Sequence, residues 1–142
     1  MVEIIIVSHG NYAFEIVNTI EMINGKKHNI IPFALKEQES LEDFEKRLKE
    51  FIDNSSFDEH LILIDFLGGT PFNAMQKLVM SPNIEIITGV NIPMVLNTIS
   101  CYSNNLKEMS KKAEEYGKCG IVNISEKVKS RLNEQLKGAE SL

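Results

Sequence analysis

Residues 3–8 read Glu-Ile-Ile-Ile-Val-Ser, a short run of mostly β-branched residues close to the start of the chain. A continuous apolar run, without alternating polar residues, is typical of a strand buried on both faces of a parallel sheet. Residues 28–35, 61–65 and 84–88 are three further apolar runs, which predict the second, third and fourth strands. Helical periodicity separates these runs, so crossover helices join the strands. We therefore predict an α/β fold, a doubly wound sheet of parallel strands in the order 2-1-3-4.

Helices are predicted wherever apolar residues recur at helical spacing between the strands. The predicted helices are Asn11 to Asn24, a segment capped by Ser40, Thr70 to Met80, a segment opened by Asn91, residues 104–117 ended by Gly117, and a C-terminal segment capped by Ser125. The short apolar segment from Cys119 to Ile124 predicts a fifth strand. We expect residues 1–124 to form one domain, with residues 125–142 as its C-terminal helix.

Composition excludes several classes of protein. The 142 residues are 43% hydrophobic and 25% charged with a net charge of −5, which fits one soluble globular domain. No apolar run is long enough to span a bilayer and no secretory signal is recognisable, so we expect a cytoplasmic protein. No basic stripe indicates a nucleic-acid partner. Cys101 and Cys119 have neither C-x-x-C nor zinc spacing, so we expect both to remain thiols.

Two polar residues at strand ends are the strongest candidates for chemistry. Ligands of an open parallel sheet bind at the carboxyl ends of strands, where the strand order reverses, here between strands one and three. His9 and Asp65 follow these two strands, so the topology places them together although they are 56 residues apart. If Asp65 accepts a hydrogen bond from Nδ1–H, His9 Nε2 faces outward as a nucleophile or general base. Alternatively, His9 caps the following helix or satisfies a local backbone group.

A glycine-rich segment follows Asp65. Gly68 and Gly69 allow the backbone to approach a ligand closely, and Thr70 precedes a helix whose first amides belong to Phe72 and Asn73. Such a helix end suits a phosphoryl group or a carboxylate. The alternative is a plain threonine N-cap after a glycine turn. The chain has neither a P-loop nor a G-x-G-x-x-G motif, which argues against nucleotide hydrolysis.

The other two histidines are weaker candidates. His28 lies in a Lys-Lys-His stretch, and His60 precedes the third strand at the opposite end of the sheet from His9. We expect both side chains to be exposed to solvent. The three histidines are dispersed, without the spacing of metal ligands.

Three motifs carry a resemblance to a known family. Residues 6–10 read Ile-Val-Ser-His-Gly, residues 65–73 read Asp-Phe-Leu-Gly-Gly-Thr-Pro-Phe-Asn, and residues 89–94 read Gly-Val-Asn-Ile-Pro-Met. In this order they resemble the mannose-type enzyme IIA of the phosphoenolpyruvate-dependent sugar phosphotransferase system, over about residues 2–124. The resemblance implies a flavodoxin-like fold and a phosphoryl carrier that works without a cofactor.

The resemblance also implies roles for individual residues. His9 matches the histidine that becomes phosphorylated, with its tele nitrogen as the expected position, and Asp65 matches the carboxylate that orients it. The loop around the phosphoryl group is matched by Gly68, Gly69, Thr70, Phe72 and Asn73.

Partners follow from the same resemblance. The phosphocarrier protein HPr would phosphorylate His9, which would pass the group to a histidine of enzyme IIB, upstream of the membrane subunits IIC and IID. The chain ends without a IIB domain, so we expect enzyme IIB to be a separate polypeptide. Mannose-type relatives are dimers that exchange a strand, so we expect a homodimer in which the fifth strand is exchanged. The alternative is a monomer in which the fifth strand pairs with its own sheet. The transported sugar is chosen by IIC and IID, not by this chain.

The motifs depart from the family pattern at a few positions. Thr70 stands where serine is common, Leu67 replaces a frequent tryptophan, and Lys36-Glu37 replaces a frequent Gly-Glu, so the docking surface is expected to differ at its rim. Two alternative functions remain. One is the phosphotransfer subunit of a dihydroxyacetone kinase, whose relatives lack the Gly-Gly-Ser/Thr-Pro-Phe-Asn motif. The other is a non-catalytic regulatory module of the same fold, which needs neither His9 nor Asp65.

Overall fold

A computed structural model of the chain describes residues 1–27, 29–66, 68 and 74–141. Its strands form one parallel sheet with the order β2-β1-β3-β4, where β1 is Val2–His9, β2 Ile30–Leu35, β3 Glu59–Ile64 and β4 Ile84–Thr88. The helices are α1 Tyr12–Asn24, α2 Leu41–Asp53, α3 Ile92–Ser100, α4 Leu106–Cys119 and α5 Ile124–Glu140, with a 3-10 turn at Leu78–Met80. The predicted α/β class and strand order are confirmed.

The core has two halves, one on each face of the sheet. Ile4 and Ile6 of β1 pack toward α1, α3 and α4, whereas Ile5 and Val7 face α2. All four side chains are fully buried, as a strand covered on both faces requires. Burying one isoleucine side chain contributes about 1.5–3 kcal/mol, so this single strand anchors both halves of the core.

The register of the sheet determines which residues meet at its carboxyl edge. Val7 of β1 pairs with Ile64 of β3, and the amide of Asp65 donates to the carbonyl of Val7 at 3.0 Å. On the other side of β1, His9 pairs with Leu35 at the end of β2. Three strands therefore end at nearly the same level.

Helix caps were only partly predicted. Ser40 caps α2 as expected, because its side chain accepts from the amide of Asp43 at 3.1 Å. The cap of α5 is Asn123, not Ser125: the Asn123 side chain accepts from the amide of Glu126 at 3.1 Å. No helix among the described residues is long and apolar enough to cross a membrane.

Gly117 does not end α4, contrary to the prediction. The helix continues to Cys119, and Gly117 is buried where α4 crosses α3. A Cβ on Gly117 would collide with the terminal methyl of Met94. The glycine therefore permits close helix packing instead of terminating a helix.

The predicted fifth strand is absent from the single chain. Cys119 is the last residue of α4, Ile124 is the first residue of α5, and residues 121–123 have no regular structure. The helices on either side take the first and the last residue of the predicted strand, and no strand of the four-stranded sheet pairs with residues 121–123. Pairing of this segment with a second copy of the chain stays a prediction.

Candidate functional site

His9 and Asp65 meet at the carboxyl edge of the sheet. His9 is the last residue of β1, and Asp65 directly follows β3. The Nδ1 atom of His9 lies 2.8 Å from Oδ2 of Asp65. The His9 side chain is 40% exposed and that of Asp65 only 11% exposed. The carboxylate is therefore largely enclosed, and the imidazole is open to a partner.

Both oxygens of Asp65 are used. Oδ2 also accepts from the backbone amide of His9 at 2.9 Å, and Oδ1 accepts from the backbone amide of Phe66 at 2.9 Å. An ionised carboxylate only accepts, so Nδ1 of His9 carries the ring proton in the neutral imidazole. Nε2 then has the free lone pair, which makes it the nucleophilic atom of the ring.

Phe66 forms the wall beside the imidazole. Its ring stacks on the His9 ring with centroids 4.9 Å apart and an angle of 18° between the planes. Offset, nearly parallel rings at this separation attract each other. Sequence reasoning missed this contact, because the direction of the Phe66 ring depends on tertiary packing and not on a local pattern.

The turn after β1 is held by Ser8. The buried hydroxyl of Ser8 accepts from the amide of Ala13 at 2.7 Å and donates to the carbonyl of Gly10 at 3.3 Å. Gly10 adopts a φ of +52°, and its amide donates to the carbonyl of Leu35 at 3.1 Å. Ser8, and not His9, thus satisfies a first-turn amide of α1, so the alternative that His9 caps this helix is not supported.

Only part of the glycine-rich segment is described. Gly68 has a φ of +115°, a backbone conformation that residues other than glycine rarely adopt. Gly69, Thr70, Phe72 and Asn73 lie outside the described residues. The chain is described again from Ala74, which is buried in the core half that contains α2. The phosphoryl-binding role predicted for this segment therefore stays a prediction.

The loop after β2 borders this edge of the sheet and contains the Lys36-Glu37 departure. Arg47 of α2 donates to both carboxylate oxygens of Glu39 at 2.8 Å and to the carbonyl of Ala34 at 2.6 Å. The hydrogen bond from Arg47 holds the pKa of Glu39 below its ordinary value. The guanidinium also lies over the Phe33 ring, 4.2 Å from its centroid. Arg47 thus holds the loop in place through its hydrogen bonds to Glu39 and Ala34.

His60 is buried, contrary to the prediction of an exposed side chain. It is 2% exposed and lies within β3, where it pairs with Glu3 of β1. Its Nδ1 lies 3.0 Å from Oε2 of Glu3, and the Ser55 hydroxyl donates to the same oxygen at 2.9 Å. This pair sits at the amino end of the sheet, opposite His9. His28 lies outside the described residues.

Metal-ligating residues do not cluster in the part of the chain that the structure describes. No group of three His, Cys, Asp or Glu side chains there could hold a metal ion. The cysteines Cys101 and Cys119 are both free thiols exposed to solvent.

Comparisons with known proteins show the family of this chain. The family EIIA-man, described as the PTS system fructose IIA component, matches residues 3–114. The fructose-specific EIIA component of Bacillus subtilis is 28% identical over 80% of this chain and 84% of its own length. The mannose-specific EIIAB component of Escherichia coli is 31% identical over 84% of this chain and 38% of its own length.

A solved structure supports the same relationship. The crystal structure of the phosphotransferase system component EIIA from Streptococcus agalactiae aligns with a TM-score of 0.80 and 29% identity, over 88% of this chain and 98% of that one. The family match covers most of the sheet and the helices packed on it. The chain therefore belongs to the mannose-type EIIA family, the phosphoryl-transfer components of the sugar phosphotransferase system.

Proposed function

We propose that this chain is a cytoplasmic phosphoryl carrier that accepts a phosphoryl group on Nε2 of His9. The donor is the phosphocarrier HPr, and the acceptor is a histidine of enzyme IIB, upstream of the membrane subunits IIC and IID. The observation that carries the proposal is the 2.8 Å contact between Asp65 Oδ2 and His9 Nδ1, which leaves Nε2 as the nucleophilic nitrogen of a side chain that is 40% exposed.

The chemistry needs only positioning and charge stabilisation. The lone pair of His9 Nε2 attacks the phosphorus on the donor histidine, a new N–P bond forms, and the donor imidazole keeps the electron pair of the broken bond. No proton has to leave Nε2, because the ring proton is on Nδ1. Phosphorylated His9 carries positive charge on its ring, which the Asp65 carboxylate stabilises. In the transfer to enzyme IIB, the IIB histidine attacks the phosphorus and His9 keeps the electron pair of the broken bond.

The segment after β3 is proposed to hold the phosphoryl oxygens. Gly68, Gly69, Thr70, Phe72 and Asn73 follow β3 and Asp65 in the chain, and Asp65 contacts His9. The positive φ of Gly68 allows a turn that places backbone amides near a ligand. Amides at a helix start stabilise added negative charge without a metal.

Labelling from phosphoenolpyruvate, enzyme I and HPr tests the assignment. We expect one acid-labile, base-stable phosphoryl group on the wild-type chain, none on His9→Ala, and normal labelling of the control His28→Ala. Label retained by His9→Ala would overturn the assignment of His9. A wild-type chain that takes no label is the outcome expected of a non-catalytic module. A chain that passes label to a dihydroxyacetone kinase subunit but not to enzyme IIB would favour that alternative.

A homodimer that exchanges the segment after α4 is also proposed. Between β4 and α4 lies a cavity of about 420 Å³ whose lining includes Ile86, Ile87 and Ile121. The helix α5 buries none of its side chains, and its exposed apolar residues recur every fourth position: Ile124, Val128, Leu132 and Leu136. Such a stripe is stable in water only against a partner surface. A second copy of the chain would cover it and pair with β4.

Sedimentation equilibrium tests the dimer. We expect twice the chain mass of 16.1 kDa at micromolar concentration. Truncation after Gly120 leaves α4 intact and should give monomers or insoluble protein. A full-length chain at 16.1 kDa would remove the dimer. An intact dimer of the truncated chain would place the interface elsewhere.

A further inference from the structure

The stacked pair of His9 and Phe66 has a consequence for the transfer step. We propose that Phe66 is a positioning residue that fixes the plane of the His9 imidazole, so that the Nε2 lone pair points toward the incoming phosphorus. The inference rests on the proposed function, because it assumes that Nε2 is the reacting atom. It concerns the parallel contact between the rings, with centroids 4.9 Å apart and planes at 18°.

Asp65 by itself does not fix the imidazole. The backbone of His9 is held by β1, so the ring position depends on two side-chain torsions, and the second of these is broad for histidine. The 2.8 Å contact from Nδ1 to Asp65 is one distance restraint on those two torsions. The ring can therefore still tilt while this hydrogen bond is kept. A second contact that acts on the face of the ring removes that freedom, and Phe66 supplies it.

The plane of the ring matters because the Nε2 lone pair lies in it. In-line transfer requires this lone pair, the phosphorus and the leaving nitrogen to be aligned, and a tilted ring loses that alignment. Both rings are half exposed, with 40% of the His9 side chain and 51% of Phe66 open to solvent. Among the described residues, the packing around the imidazole is therefore too sparse to hold it without the stack.

Asp65 contacts both residues of the stack. Its Oδ2 binds the backbone and the ring of His9, and its Oδ1 accepts from the backbone amide of Phe66 at 2.9 Å. One largely enclosed carboxylate thus holds the imidazole of His9 and the backbone amide of Phe66, whose ring stacks on that imidazole. This arrangement distinguishes Phe66 from an aromatic side chain that is exposed only for protein docking.

Two phosphoryl donors separate positioning from docking. Phospho-HPr requires the protein surface around His9, whereas phosphoramidate is a small donor that requires only the imidazole. The variants are Phe66→Leu, which keeps an apolar side chain without a ring, and Phe66→Tyr, which keeps the ring. Phe14→Leu is the control, because Phe14 is an aromatic residue of α1 that is similarly exposed, at 45%. Proton NMR of the carbon-bound imidazole protons of His9 reports the stack through the ring-current shift.

We expect Phe66→Leu to lose the ring-current shift on His9 and to react about fivefold more slowly with both donors, a loss that matches the strength of one aromatic pair. With HPr, the loss is expected in kcat more than in KM. Phe66→Tyr should restore the shift and both rates, and Phe14→Leu should change none of them.

Four results would overturn the inference. Unchanged His9 resonances in Phe66→Leu would show that the stack is absent in solution. A raised KM for HPr with an unchanged phosphoramidate rate would make Phe66 a docking residue. If Phe66→Leu reacts as fast as the wild type and the wild type is labelled on His9, the inference is rejected and the proposed function stands. A wild-type chain not labelled on His9 would instead reject the proposed function and the inference with it.

Discussion

Replacing Asp65 by asparagine tests the centre of the site, because this carboxylate accepts hydrogen bonds at both ends. Oδ2 accepts from the backbone amide of His9 at 2.9 Å and lies 2.8 Å from its Nδ1, while Oδ1 accepts from the amide of Phe66 at 2.9 Å. Asparagine has one acceptor oxygen and one donor nitrogen. No orientation of the amide can therefore serve both His9 and Phe66.

Each orientation of Asn at position 65 has its own cost. With the amide oxygen toward His9, the amide nitrogen faces the N–H of Phe66, so two donors meet. With the amide nitrogen toward His9, the backbone N–H of His9 loses its acceptor. The ring proton also moves to Nε2, which removes the lone pair that attacks phosphorus. A lost acceptor at this largely enclosed position costs about 1–3 kcal/mol of folding free energy.

The rate effect has a comparable size. A neutral acceptor holds the Nδ1 proton less strongly than a carboxylate does, and the orientation that keeps the reactive tautomer is only one of two. A loss of about 1.4–2.8 kcal/mol in the transition state corresponds to about 10- to 100-fold in rate. We therefore expect Asp65→Asn to transfer phosphoryl groups from HPr that much more slowly and to unfold at a lower urea concentration.

Rapid-quench single turnover with excess phospho-HPr measures the rate, and urea unfolding measures the stability. Asp58→Asn is the matched control, since Asp58 is an exposed carboxylate just before β3, and neither quantity should change. An unchanged transfer rate in Asp65→Asn, together with reduced stability, would make Asp65 a cap for backbone amides only. If stability were unchanged as well, the hydrogen bonds assigned to its two oxygens would be wrong.

Two further substitutions compare a closely packed glycine with a glycine in open space. Gly120→Ala places a Cβ 2.5 Å from Cβ of the rigid Pro93 ring and should lower the free energy of unfolding by about 1–3 kcal/mol, whereas Gly138→Ala meets nothing within 4 Å and should raise it by about 0.5–1 kcal/mol. Equal urea midpoints for the two variants would contradict this. Arg47 lowers the pKa of Glu39 from 4.5, so this pair stabilises the fold above that pH and the contribution disappears as pH falls through the lowered value. Glu39→Gln should therefore be about 1 kcal/mol less stable at neutral pH, and this difference should shrink as the pH falls below 4.5; a pH-independent difference would refute the assignment.

Much of the fold follows from the sequence, because the signals lie within a few residues of one another. The unbroken apolar run of β1 predicts burial on both faces, and Ser40 predicts the start of α2 from its own hydrogen-bonding chemistry. The proximity of His9 and Asp65 also follows, although they are distant in the chain. Parallel strands end at a common edge, so two strand-terminal residues beside the switch point must approach each other.

Only the tertiary structure decided how side chains from different elements meet. A histidine before an apolar run looks exposed, yet the register pairs His60 with Glu3 and buries both. Gly117 looks like a helix end until its contact with α3 is seen, and nothing local shows that the Phe66 ring turns onto His9. Hydrophobic periodicity and helix capping depend on residues within one segment. Strand register, helix crossings and ring contacts depend instead on the packing of segments far apart in the chain.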